Sequence, residues 1–332
     1  MKFYDGLNGG VPYATLDELA TYSPEQISKL GEATFDEIVL LTITREKIYQ
    51  ESALIAATGD VIVTRAMDSI EAQIFAPGDD AVNTQYPVPA ENVAQVERAK
   101  PVTYNIKKVD LQLAETRYFI SNDAKLRGAS DWLEADSARR AAENLAAERD
   151  KHVLEGLVDQ ADDNNDVAAT ATWSSASATP EDDVAKAIAN IVKNSNIPAS
   201  QLNKPTAFAL IIPAQAFVGV TKLKLIRNIT QPIQDFLQTE YKVKIVLTRQ
   251  PYNHTSWPVD TEALVVPYQD PTIGFLATFN GGGIIPAQEK WKIPRGEDIF
   301  IRQWFRYIDI PQPFDGTETQ NRRIATITGV AS

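Results

Sequence analysis

Few residues in this chain are equipped for chemistry. Its 332 residues include no cysteine and two histidines, His152 and His254. The missing thiols exclude disulfides, thiolate catalysis, iron–sulfur clusters and Cys-ligated zinc together. A Ser-His-Asp triad or a histidine-pair metal site would need one or both imidazoles. His152 falls in a charged helical pattern and His254 in a Pro/Tyr/Trp loop about a hundred residues away, so each reads as a surface or packing residue. Gly-x-Ser-x-Gly and His-Glu-x-x-His motifs are absent.

The acidic run Asp162-Asp163-Asn164-Asn165-Asp166 starts like a calcium loop. It lacks the loop's glycine, because Val167 stands sixth, and its bidentate glutamate, because Trp173 stands twelfth. The expectation is a solvated acidic loop. Asn280-Gly281-Gly282-Gly283 lacks phosphate-loop spacing and runs into Ile284-Ile285-Pro286, so it reads as a flexible turn. Asp79-Asp80 and Asp182-Asp183 sit at a loop tip and in a helix's first turn, where acids have structural reasons to be. The aromatic loop containing Tyr252, His254 and Trp257 leaves two readings open, a packed loop or a contact surface.

Net charge of −12 and a pI near 4.8 disfavour a broad grip on nucleic acid, whose phosphates are bound by lysine and arginine. Such a chain is suited to line a container for DNA without sticking to it. No apolar run approaches the roughly 18 residues of a membrane span. Met1-Lys2-Phe3-Tyr4-Asp5-Gly6 lacks a signal peptide's design, so export is not expected.

The elements that must position these residues follow from periodicity. Residues 1–34 read as an extended arm that orders only by lying on something else, and 35–49 starts helix-like. Residues 61–64 and 69–75 read as strands, followed by a proline-bearing tip. The return at 102–120 alternates in two phases. Val102, Tyr104 and Ile106 share one face, and Val109, Leu111 and Leu113 the other, which predicts a bulge or twist. A ribbon of this length needs a neighbour to be stable. An alanine-rich helix is predicted over 130–157, supported by Asp136–Arg140 and Glu148–Lys151 pairs, with a thin stripe of Leu133, Leu145, Val153 and Leu157. Residues 161–179 form the best candidate boundary. Thr179-Pro180 then opens an amphipathic helix with Val184, Ile188, Ile191 and Val192 on one face. Strands follow at 206–212, 243–247, 263–266, 299–310 and 324–330, with a helix near Ile233, Phe236 and Leu237.

This order of parts resembles the major capsid proteins of tailed double-stranded DNA viruses, whose fold is shared with encapsulins. The resemblance rests on architecture across nearly the whole chain. It includes the run Thr206-Ala207-Phe208-Ala209-Leu210-Ile211-Ile212 with Pro213-Ala214-Gln215 after it, Ala263-Leu264-Val265-Val266-Pro267, and the long strand 299–310. It implies an α+β fold with an N-terminal arm and lead-in (1–50) and an extended β-hairpin loop (69–118). A peripheral domain (51–68, 119–175, 284–312) would carry the spine helix 130–157, and an α/β apical domain would span 176–283 and 313–332.

The resemblance further implies a structural protein, not an enzyme, with no cofactor and no metal. It would self-assemble through hexameric and pentameric capsomers into an icosahedral shell around packaged double-stranded DNA. Separate scaffolding, portal and cement proteins would be partners, and DNA would be enclosed without sequence-specific binding. No membrane partner is implied; the place would be the virion capsid, assembled in the host cytoplasm. Inter-subunit contacts are expected at Ile70, Ile74, Tyr86, Val88, Tyr104, Tyr252 and Trp257. Some family members crosslink a loop lysine to a neighbour's asparagine. Lys100, Lys107 and Lys108 are available donors, but no matching asparagine or assisting glutamate is identifiable. The rival readings are an encapsulin-like compartment shell and, from another class, a carboxylate-dependent hydrolase, for which no facing pair of acids can be named.

Overall fold

The computed structural model describes residues 52, 55–67, 71–77, 104–123, 130–195, 197–226, 229–250, 256–279, 290–293, 295–310 and 320–331. Along the chain, β1 (Val63–Met67) and β2 (Glu71–Pro77) precede β3 (Tyr104–Asp110), β4 (Gln112–Ser121) and the long helix α1 (Ser130–Asp159). The two-residue β5 (Val167–Ala168) leads to α2 (Pro180–Asn194), the short α3 (Ala199–Leu202), β6 (Phe208–Pro213) and α4 (Phe217–Thr221). Next come β7 (Leu223–Ile226), β8 (Ile229–Pro232), α5 (Ile233–Tyr241) and β9 (Val243–Thr248). Then follow β10 (Ala263–Pro267), β11 (Gly274–Phe279), β12 (Lys290–Ile293), β13 (Gly296–Asp309) and β14 (Ala325–Thr328).

The first sheet is organised around β13, which pairs antiparallel with β4, β12 and β11, while β1 adds parallel to β11. Ile299, Ile301, Gln303, Phe305 and Tyr307 of β13 are buried, alternating with half-buried Phe300, Arg302, Trp304 and Arg306. That period of two turns one face toward α1. At 30 residues, α1 is about 45 Å long. Ala141, Ala142, Leu145, Ala146, Val153, Leu154 and Leu157 recur at helical spacing and are all buried. The small alanines let the first half approach β4 and β13 closely, with Leu145 packed beside Ile301. Asp136 pairs with Arg140 at 2.8 Å, as the spacing predicts.

The second sheet has the order β5-β14-β10-β6-β9, with β6 and β9 parallel and β10 antiparallel to both its neighbours. Every residue of β6 and β10 is buried, as expected of strands covered on both faces. Phe208, Leu210 and Ile212 face α2 through Val184, Ala187 and Ile191. Ala209 and Ile211 share the other core with Val153, Leu154 and Leu157 of α1 and with Phe305 and Tyr307 of the first sheet. The end of α1 thus joins the two sheets in one apolar core.

Gly219 in α4 marks a close approach. A Cβ there would lie 2.4 Å from the Trp173 carbonyl oxygen, so only glycine fits against that loop. Trp173 is fully buried, and its indole N–H donates to Asp183 at 3.2 Å.

Several expectations need correction. The two-phase return is two strands broken at Leu111: β3 pairs with β2, whereas β4 pairs with β13. Residues 112–118 therefore belong to the first sheet and not to the extended loop. Leu113 does not share the buried face of Val109 and Leu111; it is exposed, because the phase resets at the break. Residues 274–279, grouped by sequence with the apical segment, form β11 of the first sheet. The acidic run is solvated only in part: Asp163, Asn164 and Asp166 are exposed, but the other two are not. Asp162 and Asn165 are buried, Asp162 accepts from Asn164 N–H at 2.9 Å, and the Asn165 amide donates to the Arg322 and Ile324 carbonyls at 2.8 and 3.2 Å. The arm (1–34), the 35–49 segment and the Asn280–Gly283 turn lie outside the described residues.

Candidate assembly surfaces

The ribbon comes first. β2 and β3 pair over seven positions, from Glu71↔Asp110 to Pro77↔Tyr104, and make a two-stranded sheet of their own. Of the expected contact residues, Ile74 sits opposite Lys107 and Tyr104 opposite Pro77 in this ribbon. Ile70, Tyr86, Val88 and Tyr252 lie outside the described residues, as do Asp79, Asp80, Lys100 and His254. Trp257 is placed in the chain's own core: it is 8% exposed and its indole N–H donates to Thr248 Oγ1 at 2.7 Å. A side chain so enclosed offers a neighbour almost no surface, which corrects its assignment as a contact.

A groove of about 350 Å³ runs between α1 and the near end of β4, lined by Leu113, Glu115, Glu148, Lys151, His152, Glu155 and Phe305. Its charges are mutually engaged. Glu115 accepts from Arg302 at 2.5 Å, Glu155 lies 3.7 Å from Lys151, and His152 Nδ1 is 3.9 Å from Glu155. His152 stands edge-on to Phe305 with ring centroids 6.0 Å apart. Burial pushes its pKa below the usual histidine value, against the opposite pull of Glu155. A neutral imidazole resting on an aromatic ring is a packing residue, as the sequence suggests. Among the described residues, no cluster of three or more His, Cys, Asp or Glu is arranged to hold a metal ion.

Sequence reasoning missed Asp150. Its carboxylate, buried in the stripe of α1, accepts from Ala57 N–H and Thr58 N–H at 2.8 Å each and from Thr58 Oγ1 at 2.6 Å. Burial pushes its pKa up, opposed by these hydrogen bonds. The signal was present in the pattern, since an acid between Ala146 and Val153 falls on the apolar face. Asp183 was legible as a first-turn acid but is more than that: it is fully buried and accepts from Thr170 Oγ1 at 2.8 Å as well as from Trp173.

No protein-family model matches the sequence, and no curated protein sequence matches it. Solved structures do match. A phage-related protein from Bordetella bronchiseptica RB50 is similar with a TM-score of 0.55 and 11% identity, over 86% of this chain and 97% of that one. A virus-like particle from Pyrococcus furiosus is similar at 0.52 and 9% identity, over 85% and 98%. The capsid of an empty GTA particle is similar at 0.51 and 11%, over 83% and 90%. The fold is the α+β capsid fold of tailed phages, with its long helix beside a long strand and its second, mixed sheet.

Proposed function

We propose that the chain is a shell-forming subunit, a major capsid protein that assembles through capsomers around packaged double-stranded DNA. The observation that carries this reading is shared fold over more than four-fifths of the chain and nearly the full length of each neighbour. Two neighbours are described as a virus-like particle and a capsid, which supports assembly as the function. The ribbon points the same way. A two-stranded ribbon is marginal in water by itself, and lying across a sister subunit would order it. The chemistry is then association and not catalysis.

In this reading the first sheet with α1 is the peripheral domain and the second sheet the apical one. Ile70, Ile74, Tyr86, Val88, Tyr104 and Tyr252 are proposed contacts, joined by scaffolding, portal and cement proteins as partners. The acidic wall holds DNA by enclosure, with counterions between them.

The likeness to the Pyrococcus furiosus particle supports a second reading, an encapsulin-like compartment around a protein cargo. Electron microscopy of the purified chain tests assembly: polyhedral shells or capsomer rings are expected, and a monodisperse monomer at high concentration refutes the proposal. Nuclease-protected nucleic acid inside particles from infected or producing cells marks the capsid; protein cargo without it marks the compartment.

A further inference from the structure

One face of the first sheet packs on α1, and the opposite face is covered only in part. The register fixes which residues share that outward face: Trp304 lies opposite Leu113, Arg302 opposite Glu115, Phe300 opposite Arg117 and Asp298 opposite Phe119. The pairing runs unbroken from Gly296↔Ser121 to Phe305↔Gln112, so these alternate residues stay on one side. Ile301, Ala114 and Tyr118, which stand between them, pack with α1. At one end Trp304 joins Val109 and Leu111, at the base of the ribbon, in a small core with Phe275 and Ile308. Elsewhere the cover stops. Leu113 is 43% and Phe119 47% exposed, about 20 Å apart along β4, and the Arg302 guanidinium lies 5.7 Å from the half-buried Phe300 ring.

This face is rich in arginine, although the chain carries −12. Arg117 is exposed, Arg302 is paired with Glu115, and Arg306 donates to the Asp110 carbonyl at 3.0 Å. Arg65 of β1, across β11 from Arg306, lies 4.4 Å from the Phe275 ring on the same side. With Glu115, Asp298 and Asp110 all counted against these four, arginine remains in excess. We infer that this aromatic, arginine-bearing face takes the N-terminal arm, residues 1–34, of a second copy of the chain; the inference rests on the shell-subunit reading and names one of its contacts.

Composition selects the arm. It carries five acids against two lysines, and its Asp17-Glu18 pair falls between Tyr13, Leu16, Leu19 and Tyr22. Apolar groups of that kind would cover Leu113 and Phe119 while the acids meet Arg117. Aromatic residues and arginine are the usual anchors of protein interfaces. Burial of the apolar groups holds such a contact, and charge chooses the partner. A DNA duplex would offer phosphates to the arginines and nothing to the exposed leucine and phenylalanine. Position selects a second copy. The Ala57 and Thr58 N–H groups donate to Asp150 of α1, so the chain enters its own body on the α1 side of the sheet, away from this face. An arm that leaves one side and lands on the other makes a head-to-tail contact. Each subunit then lends an arm and receives one, the arrangement that closes into rings.

The absence of cysteine makes a direct test available. Thr15→Cys introduces one thiol, which takes a maleimide–benzophenone photocrosslinker, and chains labelled with light and heavy nitrogen are mixed before assembly. Mixed-isotope adducts on residues 112–121 or 298–306 are expected in the particles. Arg117→Glu should lower the assembled fraction at least ten-fold at an unchanged melting temperature of the subunit, and adding Asp17→Lys and Glu18→Lys should restore it. Adducts confined to one chain mean that the arm folds back on its own body, and adducts to other residues of a second copy place it elsewhere. Either result overturns the inference, as does an Arg117→Glu variant that assembles like the parent. A defect that the arm reversal leaves unrestored assigns the face to nucleic acid or to another segment and overturns it too. In these cases parent particles still form and the shell reading stands. A parent chain that stays monomeric at every concentration removes both.

Discussion

His152 is the residue that an enzyme hypothesis would first claim, and its surroundings turn it to packing. It lies against Phe305 in a groove whose carboxylates already hold cations. Burial lowers its pKa below the ordinary 6.5, so the folded chain prefers the neutral ring. The unfolded chain takes up its proton near 6.5, the folded chain only at lower pH. The stabilising contribution is therefore full above 6.5 and lost as pH falls through the folded value. Calorimetry of the parent and of His152→Gln should show the parent's melting temperature falling relative to the variant's between about pH 7.5 and 5.5; parallel curves would refute this. At this scale the sequence was read well where a residue does one ordinary thing. It was misread where a polar group is buried to hold a neighbouring turn, loop or strand. Asp162, Asn165 and Asp183 look like surface acids and amides until the strand or loop they hold is in place.

Elements were most legible where a long pattern repeats. The predicted helix at 130–157 is α1, the Thr179-Pro180 start opens α2, and the strand at 299–310 is β13. The hairpin β7–β8 and strand β11 were not foreseen. The first has four-residue strands in which Leu223 and Leu225 are exposed, contrary to the burial rule. The second reads Gly-Phe-Leu-Ala-Thr-Phe, a run too short to tell strand from helix by period. One link between elements depends on a single carboxylate, since Asp150 of α1 holds the turn before β1 by three hydrogen bonds. Asp150→Ala would leave the Ala57 and Thr58 donors without that acceptor. The expected cost is about 3 kcal/mol in chemical denaturation, because buried donors lose a charged acceptor. Hydrogen exchange at 56–62 should rise more than elsewhere, and uniform or unchanged protection would refute the tether.

For the whole molecule, charge opposes what the fold is proposed to do. Copies carrying −12 repel one another, and the repulsion is screened over about 10 Å at 0.1 M salt and about 3 Å at 1 M. Light scattering at fixed subunit concentration should show the assembled fraction rising with sodium chloride across that range. A steady fall would mean that exposed ion pairs, and not apolar faces, hold the copies together. The placement of β14 sets a schedule as well. It lies between β5 and β10, bonded to the one in parallel and to the other antiparallel. Until residues 325–328 arrive, β5 has no strand beside it and one edge of β10 is a row of open backbone groups. A nascent polypeptide emerging from the ribosome thus carries an unfinished sheet, and the order of synthesis itself postpones its completion.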